Sequence, residues 1–189
     1  TVFASITGLP DVSSVKTATR NPLISEQRIA LNYLSDYEKF YFIGGSAGWA
    51  NMSALIQRSI KDVQLYQEDS YTEPLVDVWG ISDLGLFKEV DRVLSSQPQD
   101  RPFFAYIQTA ANHRPFTIPE ENEGFQVDKL SDEEVAPHGF RSAAQYNAVR
   151  LLDFNIGKFL DMAKHSGYFD DTIFIVFGDY NNRITTTVS

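Results

Sequence analysis

Three short apolar runs divide the chain, and each ends in a glycine-rich or polar stretch. The runs are FYFI (40–43), FFAYI (103–107) and IFIVF (173–177). Their apolar residues follow one another without the alternation of a half-exposed strand, which favours strands that are covered on both faces of a sheet. We therefore expect three buried strands, the last of which would deliver Asp179 to its carboxyl end.

Helical patterns lie between these runs. Apolar residues recur every three or four positions in SEQRIALNYLSDY (25–37), GWANMSALIQRSI (48–60), DLGLFKEVDRVLSS (83–96) and FRSAAQYNAVRLLDFNIGKFLDMAKHSGYF (140–169). Ser25 and Ser82 are suitable N-caps, and Gly167 is a suitable helix stop. The segment YTEPLVDVWGIS (71–82) is predicted to be a loop. The acidic residues 119–140 are interpreted as a solvated surface, with a lid as the alternative.

Strands that alternate with helices predict the α/β class, with a mostly parallel sheet and helices on both of its faces. In such folds, ligands bind beyond the carboxyl ends of the strands. The candidate site segments are therefore residues 44–49, 112–116 and 178–183.

Length and charge narrow the classes of function. The 189 residues, 43% of them hydrophobic, are enough for one domain or most of one. Acidic residues exceed basic residues by 25 to 16, and the net charge of -9 argues against a nucleic-acid partner. An anionic substrate stays possible, because a bound cation can invert the local field. The chain has no cysteine, hence neither a disulfide nor a thiolate metal site, and no apolar run is long enough to span a bilayer.

Asp179 and His113 are the first candidates for chemistry. Asp179 follows an apolar run and a glycine, where a carboxylate suits a divalent cation; the alternative is a turn residue that caps the next loop. His113 lies in NHRPF, just after the second apolar run, and could bind an anionic oxygen or a metal. The alternative for His113 is a loop histidine that is hydrogen-bonded to backbone. Asn112 and Arg114 flank it.

Trp49 lies in the stretch GGSAGWANM (44–52), whose glycines allow backbone N–H groups to approach a ligand. The glycine spacing does not match a dinucleotide-binding fingerprint. Trp49 could form a wall of a substrate pocket, and the alternative is a core residue. His138 and His165 are interpreted as structural, since His165 falls near the end of a predicted helix, where its charge favours the dipole.

Four stretches, taken together and in order, resemble one protein family. They are YFIGGSAGWANM (41–52), VDVWGISDLGLFKEV (76–90), RPFFAYIQTAANHRPFTIP (101–119) and YNAVRLLDFNIGKFLDMAKHSGYFDDTIFIVFGDYNNR (146–183). In combination they resemble the lipoteichoic acid synthase and phosphoglycerol transferase group, in the sulfatase-like branch of the alkaline phosphatase superfamily. The resemblance implies a three-layer α/β/α sandwich. Residues 1–189 would be the central portion of a single catalytic domain, incomplete at both ends.

The resemblance also implies a reaction. In the family a threonine attacks a phosphoglycerol group, and the covalent phosphoglycerol–threonine intermediate then passes to an acceptor hydroxyl. A divalent metal, manganese first and magnesium, zinc or calcium as alternatives, polarises the phosphoryl oxygens. The implied substrates are anionic phosphoglycerol lipids or glycans of the cell envelope, and no nucleic acid is expected to bind.

Site residues carry over by position. Asp179 matches the metal-binding aspartate of the family, His113 matches its substrate-side histidine, and Trp49 matches its pocket tryptophan. Arg114 is assigned to the same substrate-binding group. The family arginine that closely follows the tryptophan has no counterpart in ANMS. Tyr180 stands where the family has a metal-binding histidine, and a tyrosine binds a metal only as phenolate, from a reference pKa of about 10.

The position of the nucleophile is less direct. FASITGLP, starting at Phe3, matches the segment that follows the nucleophile in the family, so Thr1 is the candidate and a threonine upstream is the alternative. The first strand, with its metal-binding glutamate, is expected upstream, as are transmembrane helices that would leave this domain on the periplasmic or extracellular side. Residues 1–189 alone are therefore expected to lack transferase activity.

Two other functions stay open. A sulfatase or phosphodiester hydrolase of the same superfamily is the first; these residues contain no Cys/Ser-x-Pro-x-Arg signature, which sulfatases use to form formylglycine. A catalytically inactive, sulfatase-like binding module is the second, and Tyr180 is its main support.

Overall fold

The computed structural model describes residues 2–8, 28–98 and 100–178. The helices and strands in chain order are α1 (Val2–Thr7), β1 (Glu38–Ile43), α2 (Met52–Ser59), β2 (Val63–Tyr66), β3 (Leu75–Asp77), β4 (Gly80–Ile81), α3 (Asp83–Ser95), β5 (Phe103–Gln108), α4 (Asp132–Val135) and α5 (Ala143–Ser166). Short 3₁₀ turns lie at Ala30–Tyr33, Trp49–Asn51, Glu68–Ser70 and Ala136–His138. In this part of the chain, no helix combines the length and apolar character that a membrane crossing requires.

A parallel sheet in the order β2–β1–β5 forms the centre of the fold. β1 pairs with β5 along its whole length, from Glu38 opposite Phe103 to Ile43 opposite Gln108. Since the strands are parallel, the loops that follow β1 and β5 start at the same edge of the sheet.

Both faces of this sheet are covered. Phe40 and Phe42 of β1 pack against α3 and α5, in a cluster that also holds Leu86, Phe87, Val90 and Phe159. Tyr41 points to the opposite face, where Val2, Ile6, Met52, Leu55 and Ile56 of α1 and α2 surround it. All three aromatic residues of β1 have an exposed fraction of 0%. The predicted three-layer α/β/α arrangement, with a mostly parallel sheet, is confirmed.

The predicted helix ends near the site are confirmed as well. The Ser82 hydroxyl accepts a hydrogen bond from the Gly85 N–H (2.9 Å) at the start of α3. Gly167 has a φ of +85°, and its N–H closes α5 by donating to the Ala163 carbonyl at 3.0 Å.

The structure also differs from the sequence predictions in several elements. β2 was not predicted, and residues 71–82, predicted to be a loop, contain the antiparallel hairpin of β3 and β4. Of the helix predicted over 25–37, the described part forms only the 3₁₀ turn Ala30–Tyr33; Ser25 lies outside the described residues.

The strand predicted over 173–177 is wrong. Residues 172–178 form no strand, and the exposed fractions of Ile173 and Ile175 are 89% and 77%. Phe174 packs inward, against Phe159 and Phe169. An apolar run becomes a strand only where a neighbour takes up its backbone hydrogen bonds, and residues 172–178 are not paired with β5.

The acidic segment 119–140 is largely exposed, in agreement with its interpretation as a solvated surface, but it is anchored. Lys88 of α3 and Lys158 of α5 lie 2.8 and 3.7 Å from Glu123. Phe125 is buried against α5, where it contacts Phe154. These contacts fix the middle of the segment to two helices.

The β3–β4 hairpin packs closely on the end of β1. The Ile81 N–H donates to the Gly44 carbonyl at 3.1 Å. Gly80 has a φ of +111°, and a Cβ atom at this position would overlap the Gly44 carbonyl group. Only glycine fits here, on grounds of both backbone conformation and space.

We predict that Gly80→Ala lowers the free energy of unfolding by more than about 1 kcal/mol, because alanine is strained at this φ and displaces the hairpin. The matched control is Gly157→Ala, at an exposed position of α5 with nothing within 4 Å of the added methyl group. The control should be stabilised by up to about 1 kcal/mol through its helix propensity. Urea denaturation of both variants checks this, and equal stabilities would contradict it.

Candidate functional site

The carboxyl edge of the sheet brings three aromatic side chains together. The Trp79 ring, in the turn between β3 and β4, stacks on the His113 ring with 4.3 Å between centroids and 36° between planes. Trp49 meets Trp79 edge-on, with centroids 6.0 Å apart. The three rings line the mouth of a cleft of about 1880 Å³ that continues along β5 toward residues 172–178. We call Trp49, Trp79 and His113 the aromatic cluster.

His113 is held by the turn that follows β5. Its N–H donates to the Ala110 carbonyl at 2.9 Å, and its own carbonyl accepts from the Phe116 N–H at 2.8 Å. These two bonds fold residues 109–116 back on themselves, so that the imidazole faces the β3–β4 turn and not the sheet.

Asp83 anchors the beginning of this loop. Its side chain, exposed by only 4%, accepts hydrogen bonds from the N–H groups of Ala110 (2.9 Å) and Ala111 (3.2 Å), one on each carboxylate oxygen. Burial raises the pKa of Asp83 to about 6; the two N–H bonds oppose this rise, and Asp77 adds to it. Asp83 is also the first residue of α3, so the loop is tied to a helix that packs in the core.

Trp79 anchors the end of the same loop. Its indole N–H donates to the Arg114 carbonyl at 2.6 Å, and its backbone N–H is held by the Asp77 carboxylate at 2.8 Å. Sequence reasoning placed Trp79 in a loop and gave it no role. The available signal was its position in WGISD, directly before the predicted Ser82 cap.

The three predicted substrate-binding residues lie at this edge of the sheet. Trp49 is 65% exposed, so the alternative that it is a core residue is wrong. The Arg114 side chain is exposed, and within the described ranges no carboxylate lies within 4.0 Å of its guanidinium group. His138 lies in the 3₁₀ turn Ala136–His138, and the His165 Nδ1 is 2.6 Å from the Asp161 carbonyl in α5. Neither of these histidines lines the cleft.

The structure does not describe the residues that were predicted to be the metal ligands and the nucleophile. Asp179, Tyr180 and Thr1 all lie outside the described residues. Over residues 2–8, 28–98 and 100–178, no three His, Asp or Glu side chains are grouped closely enough to hold a metal ion. A donor set for a divalent metal therefore cannot be assembled from these residues alone.

Asn112 is a further polar group at the site. Its Oδ1 atom is buried and has no hydrogen-bond partner, and the residue lines the cleft beside His113. A buried acceptor without a partner costs stability, but because this atom is closed off from solvent it is not itself a contact point for a ligand in the cleft. The exposed surface at this edge consists of the aromatic rings and the His113 imidazole, which suit a ligand that has both carbon atoms and a polar group.

Comparisons with known proteins identify the family of the chain. A family model described as Sulfatase matches residues 1–184. Lipoteichoic acid synthase 1 of Bacillus subtilis (strain 168) is 25% identical over 185 residues, which cover 96% of this chain and 27% of that protein. The chain therefore spans about a quarter of the length of this relative.

Two solved structures share the fold. A protein of the alkaline phosphatase superfamily from Vibrio parahaemolyticus superposes with a TM-score of 0.68 at 31% identity, over 90% of this chain and 40% of that one. The Streptococcus pyogenes phosphoglycerol transferase GacH, solved in complex with sn-glycerol-1-phosphate, gives a TM-score of 0.55 at 16% identity, over 87% of this chain and 44% of that one.

The raised pKa of Asp83 predicts a pH dependence of stability. A carboxyl that binds its proton more tightly when folded contributes stability fully below its ordinary pKa of 3.8, and this contribution is lost as the pH rises through about 6. Because asparagine does not titrate, Asp83→Asn should remove this part of the pH dependence of the free energy of unfolding, which is of the order of 1 to 3 kcal/mol. Urea denaturation of both proteins between pH 4 and 7 measures it. Parallel curves for the two proteins would refute the assignment.

Proposed function

The chain belongs to the sulfatase family, and we propose that it forms part of the catalytic domain of a phosphoglycerol transferase of the cell envelope. The observation that carries the proposal is the aromatic cluster at the mouth of the cleft, which Asn112 also lines. Arg114 follows His113 in the same loop. Similarity to a lipoteichoic acid synthase and to a phosphoglycerol transferase supports this choice within the family.

The described residues would bind the phosphoglycerol group. The His113 imidazole donates a hydrogen bond to an anionic phosphoryl oxygen, and the exposed Arg114 guanidinium supplies a second, charged donor. Trp49 packs against the carbon atoms of the glycerol. This division of roles gives each end of the ligand a matching partner.

The transfer step would use groups beyond the described residues. We propose that a threonine, Thr1 or one upstream of it, attacks phosphorus, so that its Oγ–P bond forms while the bond to the donor alcohol breaks. An acceptor hydroxyl then takes the phosphoglycerol group and frees the threonine.

Asp179 is proposed as a ligand of a divalent metal. The family resemblance implies such a metal, and manganese is our first choice, before magnesium, zinc or calcium. When bound, the metal would stabilise negative charge on the phosphoryl oxygens.

The proposed donors and acceptors are envelope molecules. An anionic phosphoglycerol lipid would supply the transferred group, and a glycolipid or glucan hydroxyl would accept it. Such substrates place the enzyme at the membrane surface, on its periplasmic or extracellular side. The net charge of -9 fits these partners only if local cations, such as Arg114 and a bound metal, offset it at the site.

One observation favours a second function. Tyr180 replaces the histidine that the family uses as a metal ligand, and a tyrosine is a poor ligand for divalent ions near neutral pH. The second candidate is therefore a sulfatase-like module that binds a phosphoglycerol ligand without catalysing its transfer. A sulfatase or phosphodiester hydrolase of the same superfamily remains a variant of the enzymatic proposal.

His113→Gln is the direct test of the binding site. In the whole protein that contains these residues, we expect it to weaken the binding of sn-glycerol-1-phosphate by about tenfold, which is about 1.4 kcal/mol, and to slow transfer by about 10- to 100-fold. His138→Gln, at an exposed histidine away from the cleft, is the control and should change neither value. Calorimetry and a transfer assay with a phosphoglycerol lipid give both readouts. Equal binding by the two variants would exclude His113 from the site.

Asp179→Ala tests the metal ligand. We expect the purified variant to hold less manganese per molecule than the unaltered protein, because a carboxylate ligand is lost. Asp171→Ala removes an exposed carboxylate eight positions earlier and should keep the full content. Elemental analysis after dialysis measures both variants. If the unaltered protein binds no divalent metal, the inactive binding module becomes the better description.

A further inference from the structure

The two ends of the segment WGISD (79–83) contact the loop of residues 109–116, which carries His113. Trp79, at its start, stacks on the ring of His113 and donates to the Arg114 carbonyl. Asp83, at its end, accepts from the N–H groups of Ala110 and Ala111. The contacts thus fall on both sides of His113, two or three residues before it and one residue after it. We call Trp79 and Asp83 the loop clamp.

The Asp83 end of the clamp is rigid because α3 is packed in the core. Leu86 and Phe87, in the first turns of this helix, are 1% and 4% exposed. The Ser82 cap and the Leu86 N–H bond to the Ser82 carbonyl (2.8 Å) fix the helix start. A loop that is bonded to this carboxylate therefore shares the position of the helix.

The Trp79 end is rigid for a different reason. The Asp77 carboxylate shapes the β3–β4 turn through the Trp79 N–H, and Gly80 rests on Gly44 at the end of β1. Because this turn packs on β1, the sheet fixes the orientation of the Trp79 indole. The Trp79 ring stacks on His113, and its indole N–H donates to the carbonyl of the next residue, Arg114. These two contacts restrict both the orientation of the imidazole and its position relative to the sheet.

We propose that Trp79 and Asp83 are positioning residues that fix the His113 imidazole at the carboxyl end of β5 for its work on the phosphoryl group. Their role at this site rests on the proposed function. Asp83 does not need to touch the substrate, because it is buried behind the loop. Trp79 would act through its contacts with the imidazole and the loop backbone, although its ring also meets Trp49 at the mouth of the cleft. Since misplacement by about 1 Å costs catalysis up to about 100-fold, the clamp should matter for rate more than for binding.

The test uses three variants of the whole protein and one control. Trp79→Phe keeps an aromatic ring but loses the N–H donor, and Trp79→Leu loses both. Asp83→Asn replaces one acceptor oxygen with an NH₂ group that faces a backbone N–H. The control, Phe125→Leu, removes a buried aromatic ring that packs on α5, away from the cleft.

Two readouts separate positioning from general damage. The first is the NMR signal of the His113 ring, identified by its loss in His113→Gln, together with its pH titration. The second is the division of the kinetic effect between kcat and KM in the transfer assay. We expect Trp79→Leu and Asp83→Asn to shift the His113 signal and to lower kcat by about 10- to 100-fold, with KM changed less than about threefold. Trp79→Phe should be intermediate, and Phe125→Leu should leave both readouts unchanged.

The outcomes decide between the claims. If Trp79→Leu and Asp83→Asn leave the His113 signal in place, or if Phe125→Leu moves it equally, the clamp is refuted. If the signal shifts while His113→Gln itself transfers at the normal rate, the clamp stands as geometry and only the proposed function fails.

Discussion

The parallel pairing of β1 with β5 is the constraint on which the candidate site depends. Ile43 lies opposite Gln108 at the carboxyl ends, so the loops that carry Trp49 and His113 leave the sheet side by side. Tyr41 and Tyr106 lock this register, with rings stacked 4.8 Å apart at 5°. An antiparallel β5 would place His113 at the far edge, and a slip by one residue would turn Tyr41 toward the wrong helical layer.

The strongest sequence signals were those that local chemistry alone determines. The aromatic run of β1, the apolar run of β5 and the Ser82 and Gly167 helix ends were all predictable, because periodicity and caps are written in adjacent residues. β2 was missed because Val63–Tyr66 is short, contains Gln64 and lies between charged residues. The strand prediction for residues 173–177 was wrong for the opposite reason. The apolar signal is strong, but a strand also needs a paired neighbour, which the sequence does not specify.

The sequence allowed us to predict which residues lie at the candidate site, but not which contacts hold them there. His113 and Trp49 were found as residues that follow strands, a rule that needs only the order of elements. Trp79 and the partners of Asp83 were not, since a contact between Asp83 and Ala110 spans 27 positions and depends on how α3 packs. Family resemblance predicted which residues bind the ligand, and that prediction stays untested. The groups that hold those residues in place emerged only from the tertiary structure.

The open side of β5 also bears on how these residues behave at high concentration. Among the described strands, β5 pairs on one side only, and the exposed segment 173–177 lies next to it, with Phe177 against Tyr106. A free strand edge beside exposed apolar residues is a template for strand addition between molecules. Within the described part of the chain, this edge is therefore the place where strand addition between two molecules would occur. A strand that paired with this edge of β5 would both complete the sheet and block such association.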